Sequence, residues 1–292
     1  GDYNTASGNF SLYANTSGSY NTASGYQALH SNTFGINNTA SGSYALESNT
    51  SGGRNTALGY KSLYSNTTGS YNTASGDNSL YNNTAGINNT ASGDSSLYNN
   101  TTGDRNTASG YQSLYANTTG YYNTASGYYS LRNNTTGINN TAFGFEALYA
   151  TNGSGDSGDN TGFGAHALRY NSTGTHNTSL GSSAGDVLTT GSNNVIIGSG
   201  ADPSANSGTN QIVIGQGATG QADNSVVLGN TDVTAVYASQ DAGATLHAGG
   251  LNLGGTAVTA TATELNLLDG ATSLGGAANI TGLSDVLVET NS

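Results

Sequence analysis

The chain has 292 residues, among them 44 Gly, 19 Tyr and one Pro, and it has no Cys, Met or Trp. Its 17 acidic and 5 basic residues give a formal charge of −12, which argues against nucleic-acid backbones and anionic membranes as partners. The lack of Cys excludes disulfides and thiolate metal sites. The sequence contains no run of about 18 apolar residues, so it predicts no membrane span.

Residues 1–193 are a tandem 17-residue repeat with the consensus NTASGxxSLYxNTTGxx. Gly stands at the fifth position of all twelve coils, from Gly8 to Gly198, and Leu at the ninth position of the first ten, from Leu12 to Leu168. Helical repeats need more than about 30 residues, whereas the runs NTASG and YxSLY predict two short strands per coil. We therefore expect an all-β fold, a parallel β-solenoid that rises about 4.8 Å per coil.

The regular apolar positions of each coil hold only Ala and Leu. Burial of one Leu contributes about 1.5–3 kcal/mol, whereas ordering the backbone of one coil costs about 17–34 kcal/mol. Ladders of stacked Asn and Thr, or burial against other copies of the chain, must supply the difference. We expect an oligomer, and specifically a homotrimer.

The composition changes after the repeats. Residues 194–238 are rich in Val and Ile and predict short strands between Gly turns, and residues 239–292 are rich in Gly, Ala and Leu and predict a stalk or connector. TATELNLLDG is expected to form one short helical turn that begins near Thr261 or Thr263. Because the sequence starts at Gly1 rather than Met, we expect a processed or partial chain.

The segment NQIVIGQGATGQADNSVVLGN resembles the left-handed β-roll heads of trimeric autotransporter adhesins and related modules of bacteriophage tail fibres. NTALGYKSLYSNTTGSYNTASG resembles the repeats attached to such modules, and LNLGGTAVTATATELNLLDG resembles a segment of tail-fibre-like proteins. The resemblance implies a homotrimeric fibre at a cell surface or virion tail, used for structure or attachment. Here Ser7, Ser24, Ser41 and Ser75 replace the Val or Ile usual at the fourth repeat position.

Two columns of residues are candidates for surface contacts or modification. The Tyr column at the tenth position could stack on sugar faces or on another fibre, or it could pack between coils; it includes Tyr13, Tyr64, Tyr81, Tyr98, Tyr115 and Tyr149. Several Asn lie in N-x-S/T sequons and are either glycosylated or part of turns and ladders; they include Asn15, Asn66, Asn100, Asn117 and Asn134.

Two further features suggest additional hypotheses. Asp156 and Asp159 in the insertion TNGSGDSGD offer oxygen ligands for Ca²⁺, although a surface loop explains them as well. Thr67 and Thr68, like Thr101 and Thr102, suggest a hydroxyl array of the kind that binds ice, or else turn capping.

The four His residues, His30, His166, His176 and His247, lack metal-ligand spacing, and no catalytic or nucleotide-binding motif is recognisable. We predict a non-catalytic structural or adhesive subunit of an extracellular fibre, without a cofactor. Its partners would be further copies of itself, joined as a trimer and end to end, and surface glycans. The alternatives are a phage tail fibre that binds a receptor and an ice- or carbohydrate-binding solenoid.

Overall fold

The computed structural model describes residues 1–150 and 158–236, and two short strands at 251–253 and 256–258. The chain divides into two compact units, Gly1–Ala235 and Val236–Ser292. Within the described residues the structure is all-β, and no helix long and apolar enough to cross a membrane occurs.

The first unit is one 14-stranded parallel sheet in which the strands follow each other in sequence order. Each strand starts one repeat after the preceding strand, except that the step from Thr141 to Thr161 is longer and the step from Ile212 to Val226 is shorter. The predicted β-solenoid is therefore confirmed. The strands are β1 Thr5–Ser7, β2 Thr22–Ser24, β3 Thr39–Ser41, β4 Thr56–Leu58, β5 Thr73–Ser75, β6 Thr90–Ser92, β7 Thr107–Ser109, β8 Thr124–Ser126, β9 Thr141–Phe143, β10 Thr161–Phe163, β11 Thr178–Leu180, β12 Val195–Ile197, β13 Ile212–Ile214 and β14 Val226–Leu228.

Each of the strands β2–β13 places its middle residue inside and its two outer residues outside, because side chains alternate along a strand. In the terminal strand β1 the middle residue, Ala6, is exposed, and in β14 the middle residue, Val227, is half-buried. In β2 and β6, for example, Ala23 and Ala91 are fully buried between exposed Thr and Ser. Gly follows each strand because the coil turns sharply there. A Cβ on Gly93, for instance, would lie 2.7 Å from the carbonyl carbon of Gly110 in the next coil.

The prediction of a second strand in each coil is wrong. The run YxSLY forms a turn, in which the ninth-position Leu adopts a left-handed backbone conformation, with φ of 52° at Leu80 and 50° at Leu97. The seventh position does the same, as at Ser95 with φ of 56°. This alternation curls the chain, so the Leu side chain points inward and is fully buried while its amide bonds to the next coil.

Two columns of buried Asn complete the interior beside Leu and Ala. At the first repeat position, the backbone N–H of Asn72 donates to Oδ1 of Asn55 at 3.0 Å, and its Nδ2 donates to the Gly86 carbonyl at 2.8 Å. At the twelfth position, Nδ2 of Asn83 donates to Oδ1 of Asn66 at 2.8 Å. Buried polar groups are tolerated only when they are hydrogen-bonded, so the Asn columns stabilise the stack only while they remain continuous.

The sheet continues without interruption from the tandem repeats into the Val/Ile-rich segment. Strand β11 pairs with β12, β12 with β13 and β13 with β14, all parallel. The insertion between β9 and β10 also leaves the ladder intact, since Thr141 still pairs with Thr161.

In the second unit, β15 Leu251–Leu253 and β16 Thr256–Val258 pair antiparallel. The expected helical turn in TATELNLLDG, with Thr261 and Thr263, lies outside the described residues, as do Asp156 and His247.

Candidate functional site: the surfaces of the solenoid

The outward face of the sheet receives two side chains from every strand, the first and the third. In β1–β8 the first is always Thr, and the third is Ser except for Leu58. Because the strands are in register, hydroxyls recur about every 4.8 Å along each column. We call this part the hydroxyl face; it consists of Thr5, Thr22, Thr39, Thr56, Thr73, Thr90, Thr107, Thr124, Ser7, Ser24, Ser41, Ser75, Ser92, Ser109 and Ser126.

The side-chain hydroxyls of the hydroxyl face are free for external partners. They make no hydrogen bond to any residue that the structure describes, and most of them are exposed. The Thr column at the thirteenth repeat position differs, since Thr67 and Thr101 donate their Oγ1 protons to the carbonyls of Thr84 and Thr118, at 2.9 and 3.0 Å. The array that the sequence suggested around Thr67 and Thr101 is thus partly used inside the protein, and the free array lies on the strands.

The outward face changes character at β9. Phe143 and Phe163 replace Ser, and in β12–β14 both outward positions are apolar. Phe163 is 52% exposed and Leu228 is 51% exposed, and single monomers seldom expose a continuous apolar strip of this kind. We call this part the apolar face; it consists of Phe143, Phe163, Leu180, Val195, Ile197, Ile212, Ile214, Val226 and Leu228.

The Tyr column packs between coils. Tyr64, Tyr81, Tyr98 and Tyr115 form a continuous stack with ring centroids 5.0, 4.9 and 5.2 Å apart and interplanar angles of 14°, 6° and 14°. Each inner ring has a neighbour on both faces, so only its edge and hydroxyl reach solvent. Tyr13 instead stacks on His30 at 5.4 Å, and Tyr149 lies tilted 6.2 Å from Tyr129. The geometry favours packing between coils over the stacking of these four rings on sugars.

All five basic side chains lie over Tyr rings. Arg54 is 5.1 Å from the centroid of Tyr71, and Lys61 lies over four Tyr rings, the farthest at 5.9 Å. Arg105, Arg132 and Arg169 make equivalent contacts. Cation–π attraction stabilises such pairs by about 0.5–1 kcal/mol at exposed sites. Among the described residues, only Arg169 also contacts a carboxylate, that of Glu146 at 2.6 Å.

The sequon Asn residues belong to the interior ladder. Asn66, Asn100, Asn117 and Asn134 are fully buried, and each uses Nδ2 to donate to the preceding Asn and to a Gly carbonyl. Asn15 is half-buried and donates to the Gly18 carbonyl. A glycan would have to be attached to this same nitrogen, so glycosylation does not fit the folded coil, and the ladder alternative does.

Asp159, one of the two suggested Ca²⁺ ligands, is exposed and already has two partners. Its Oδ1 accepts a hydrogen bond from Nδ2 of Asn139 at 3.0 Å, and its Oδ2 lies 3.6 Å from Nε2 of His176. In the described part of the chain, no group of three or more His, Asp or Glu side chains is arranged to hold a metal ion.

The sequence did not single out Asp202, yet the pKa of its carboxyl group is shifted strongly by the surrounding structure. Burial, together with the neighbouring Asp186, raises the pKa of Asp202 to about 6, and a hydrogen bond from the Val187 backbone partly opposes this. Its Oδ1 is buried without a hydrogen-bond partner. No sequence motif marks the position, because the two Asp residues meet only through the stacking of coils.

Two depressions of about 300 Å³ each lie on the described surface. One is formed by residues such as Ile36, Gly53 and Arg54, the other by residues such as Thr219 and Asn230, and neither is lined by His, Asp or Glu. Neither depression therefore brings together the groups that general acid–base chemistry uses most. A comparison with protein-family models and a comparison with curated protein sequences gave no match.

Proposed function

We propose that the chain is a non-catalytic structural and adhesive subunit of an extracellular fibre whose copies associate side by side, as a homotrimer. The single observation that carries the proposal is the outward face of the sheet. It has two side chains on each of 14 strands and no charge on any of them, on a chain of net charge −12. Like-charged copies repel each other least along such a face.

The dimensions of the face agree with this role. Fourteen strands at about 4.8 Å extend for about 67 Å, and a width of about 10 Å gives about 700 Å² per copy. Stable interfaces bury about 800 Å² per partner. The apolar face supplies the hydrophobic part of such an interface, and the resemblance to fibre modules favours three copies at a cell surface or virion tail.

Two substitutions test the association. Ile214→Lys places a charge in the apolar face, whereas Ile36→Lys places one at a similarly exposed Ile in another column. We expect sedimentation velocity to show trimers for the unmodified chain and for Ile36→Lys, and monomers for Ile214→Lys. An unmodified chain that stays a stable, folded monomer at all concentrations would overturn the proposal. Electron microscopy of the native material then distinguishes long fibres from isolated rods.

The free array of the hydroxyl face favours a second candidate, an ice-binding or carbohydrate-binding solenoid. Regular hydroxyls on a flat sheet can hydrogen-bond to a regular surface of hydroxyls or water. This use competes with association, since one face serves both. A monomer with thermal hysteresis that is lost in Thr73→Lys would support the second candidate, and a trimer without hysteresis would exclude it. A phage tail fibre is a further alternative, which the neighbouring genes would distinguish.

A further inference from the structure

The stack of Tyr64, Tyr81, Tyr98 and Tyr115 has a chemical setting that packing alone does not require. Cys and Met are the side chains that oxidants usually modify first, and the chain contains neither, nor any Trp. The phenol rings are therefore the main oxidisable groups of the molecule. Four of them are aligned ring on ring, with neighbouring centroids 4.9–5.2 Å apart.

We propose that this stack is a site of dityrosine formation, in which a peroxide-driven one-electron oxidant joins the Tyr side chains of adjacent coils within one chain. The oxidant class is hydrogen peroxide acting through a haem peroxidase. The proposal is independent of the proposed function, because it concerns one chain and not the association of copies.

The reaction balances in two stages. Each of two Tyr rings loses one electron and its phenolic proton, and the two electrons and two protons reduce one hydrogen peroxide to two waters. The two phenoxyl radicals then couple through their ortho carbons, and one C–C bond forms. Each coupled carbon loses its hydrogen to the phenoxyl oxygen as the rings return to aromaticity. The net reaction converts two Tyr and one peroxide into one dityrosine and two waters.

The geometry favours coupling within the chain over coupling between chains. A radical on Tyr81 has Tyr64 on one side and Tyr98 on the other, both held by the coils that carry them. The four Tyr residues are half-buried and not fully buried, so the proton can leave to water. Tyr phenols are protonated at neutral pH, and burial raises the pKa of Tyr64 and Tyr98 further, so electron loss is coupled to proton loss.

The products would link neighbouring coils covalently. Each link closes a loop of one repeat, and such cross-links stabilise a fold mainly by restricting the unfolded chain. Three consecutive links would fix four coils in a protein that lacks any disulfide. The chain would therefore have a substitute for disulfide bonds in an oxidising environment.

The test treats the full chain, in dilute solution, with a haem peroxidase and hydrogen peroxide. We expect dityrosine fluorescence, unchanged mobility in denaturing electrophoresis, and linked peptides that join Tyr64 to Tyr81, Tyr81 to Tyr98 and Tyr98 to Tyr115. Each link removes two hydrogen atoms, which mass spectrometry detects. Links that form mainly between chains, or mainly outside the stack, would overturn the proposal.

Two variants separate stacking from mere exposure. Tyr81→Phe keeps the ring but removes the phenol, so the stack falls from three adjacent Tyr pairs to one, and its yield of links should fall in proportion. Tyr71→Phe is the matched control, since Tyr71 is 51% exposed, is covered by Arg54 and contacts no Tyr ring among the described residues. An unchanged yield from the stack in Tyr81→Phe would contradict the proposal, as would an equal fall in both variants.

Discussion

Leu188 occupies in its coil the position that Asn171 occupies in the preceding coil, and Oδ1 of the buried Asn171 has no hydrogen-bond partner. Between Asn15 and Asn134, Nδ2 of the next Asn in this column donates to this oxygen, as Asn100 does to Asn83 at 2.8 Å, and Oδ1 of Asn134 is itself unpaired. The ladder of the described residues therefore ends at Asn134, and Asn171, whose Nδ2 donates to the Gly174 carbonyl, lies beyond it. An unpaired buried carbonyl such as that of Asn171 costs about 1–3 kcal/mol. Leu188 compensates by joining the apolar interior.

The unpaired oxygen of Asn171 predicts an unusual order of stability for substitutions at Leu188. Leu188→Ala should cost about 2–5 kcal/mol through the lost packing. Leu188→Asn should be less destabilising by about 1 kcal/mol, because its Nδ2 can donate to Asn171. Urea denaturation measures both. Ile196 is the control, because it is buried at a position that has no Asn ladder; there the Asn variant should be less stable than the Ala variant. If Leu188→Asn is no more stable than Leu188→Ala, the explanation is wrong.

Asn83→Asp tests the continuity of the ladder from within. The substitution removes both Nδ2 hydrogen bonds, to Oδ1 of Asn66 and to the Gly86 carbonyl, and places a carboxylate against these two oxygens. A buried unpaired charge should cost at least about 3 kcal/mol at neutral pH. Because its folded-state pKa would lie above the unfolded value, the folded state would bind the extra proton and stability should recover as pH falls.

The control for this substitution is Asn82→Asp. Asn82 lies in the same coil as Asn83, is half-buried and donates to Oδ1 of Asn99 in the next coil, so a carboxylate there keeps contact with water. Denaturation in urea at about pH 5 and about pH 8 should show little difference for Asn82→Asp and a large one for Asn83→Asp. Equal effects at the two sites would show that burial of the ladder is unimportant.

Asp202 predicts a pH dependence for the C-terminal coils. Its folded-state pKa of about 6 lies above the ordinary value of 3.8, so between these values the folded state binds a proton that the unfolded state does not. Stability should therefore fall as pH rises through this window and then level off. Since Asp202 is half-exposed, the effect should be about 1 kcal/mol, and thermal denaturation of Asp202→Asn should show it abolished.

Asp223 is a control for Asp202, because its pKa is shifted in the opposite direction and its effect on stability should depend on pH in the opposite sense. Hydrogen bonds from the Thr209 backbone and from Gln211 lower the pKa of Asp223. Its contribution should therefore be present at neutral pH and decrease as pH falls below about 4. If Asp202→Asn and Asp223→Asn change the pH profile in the same direction, the assignment of the two carboxylates is wrong.

Backbone conformation predicts opposite effects for two neighbouring positions. Gly93→Ala should destabilise by about 1–3 kcal/mol, because φ there is 131° and the new Cβ would meet the Gly110 backbone at 2.7 Å. Ser95→Gly should be neutral or stabilise by up to about 1 kcal/mol, since Ser95 has φ of 56°, where Gly is unstrained. Thermal denaturation of both variants measures the difference, and a stabilising Gly93→Ala would refute this account of the turn.

The 17-residue period, the solenoid fold and the inward position of Leu and Ala could all be predicted from the sequence, because each follows from one residue type that recurs at one spacing. The conformation of the second half of each coil could not be predicted in the same way. Tyr81 favours a strand by its residue type, but hydrogen bonds to the next coil hold the preceding residue, Leu80, in a left-handed turn. Single-residue propensity does not register contacts that a residue makes with a neighbouring coil.

At the candidate surfaces, too, the sequence alone did not show which side chains face solvent. Asn66 in a sequon and Thr67 in a hydroxyl column both suggest solvent-facing roles, yet the stacked coils use Nδ2 of one and Oγ1 of the other internally. The free hydroxyls of Thr73 and Ser75 have equally ordinary sequence contexts. Which side of a coil faces inward depends on the turn geometry, and the turn was the part of the coil that sequence reasoning predicted incorrectly.

The hydrogen bonds between coils run along the axis of the stack, and each strand is too short to form more than a few of them. A force that pulls the two ends of the stack apart therefore loads one coil at a time and not the whole sheet at once. Each detached coil would replace about 4.8 Å of folded length with up to about 58 Å of extended chain. Such a stack lengthens by peeling under load, and coils joined through Tyr64, Tyr81, Tyr98 and Tyr115 would limit how far it extends.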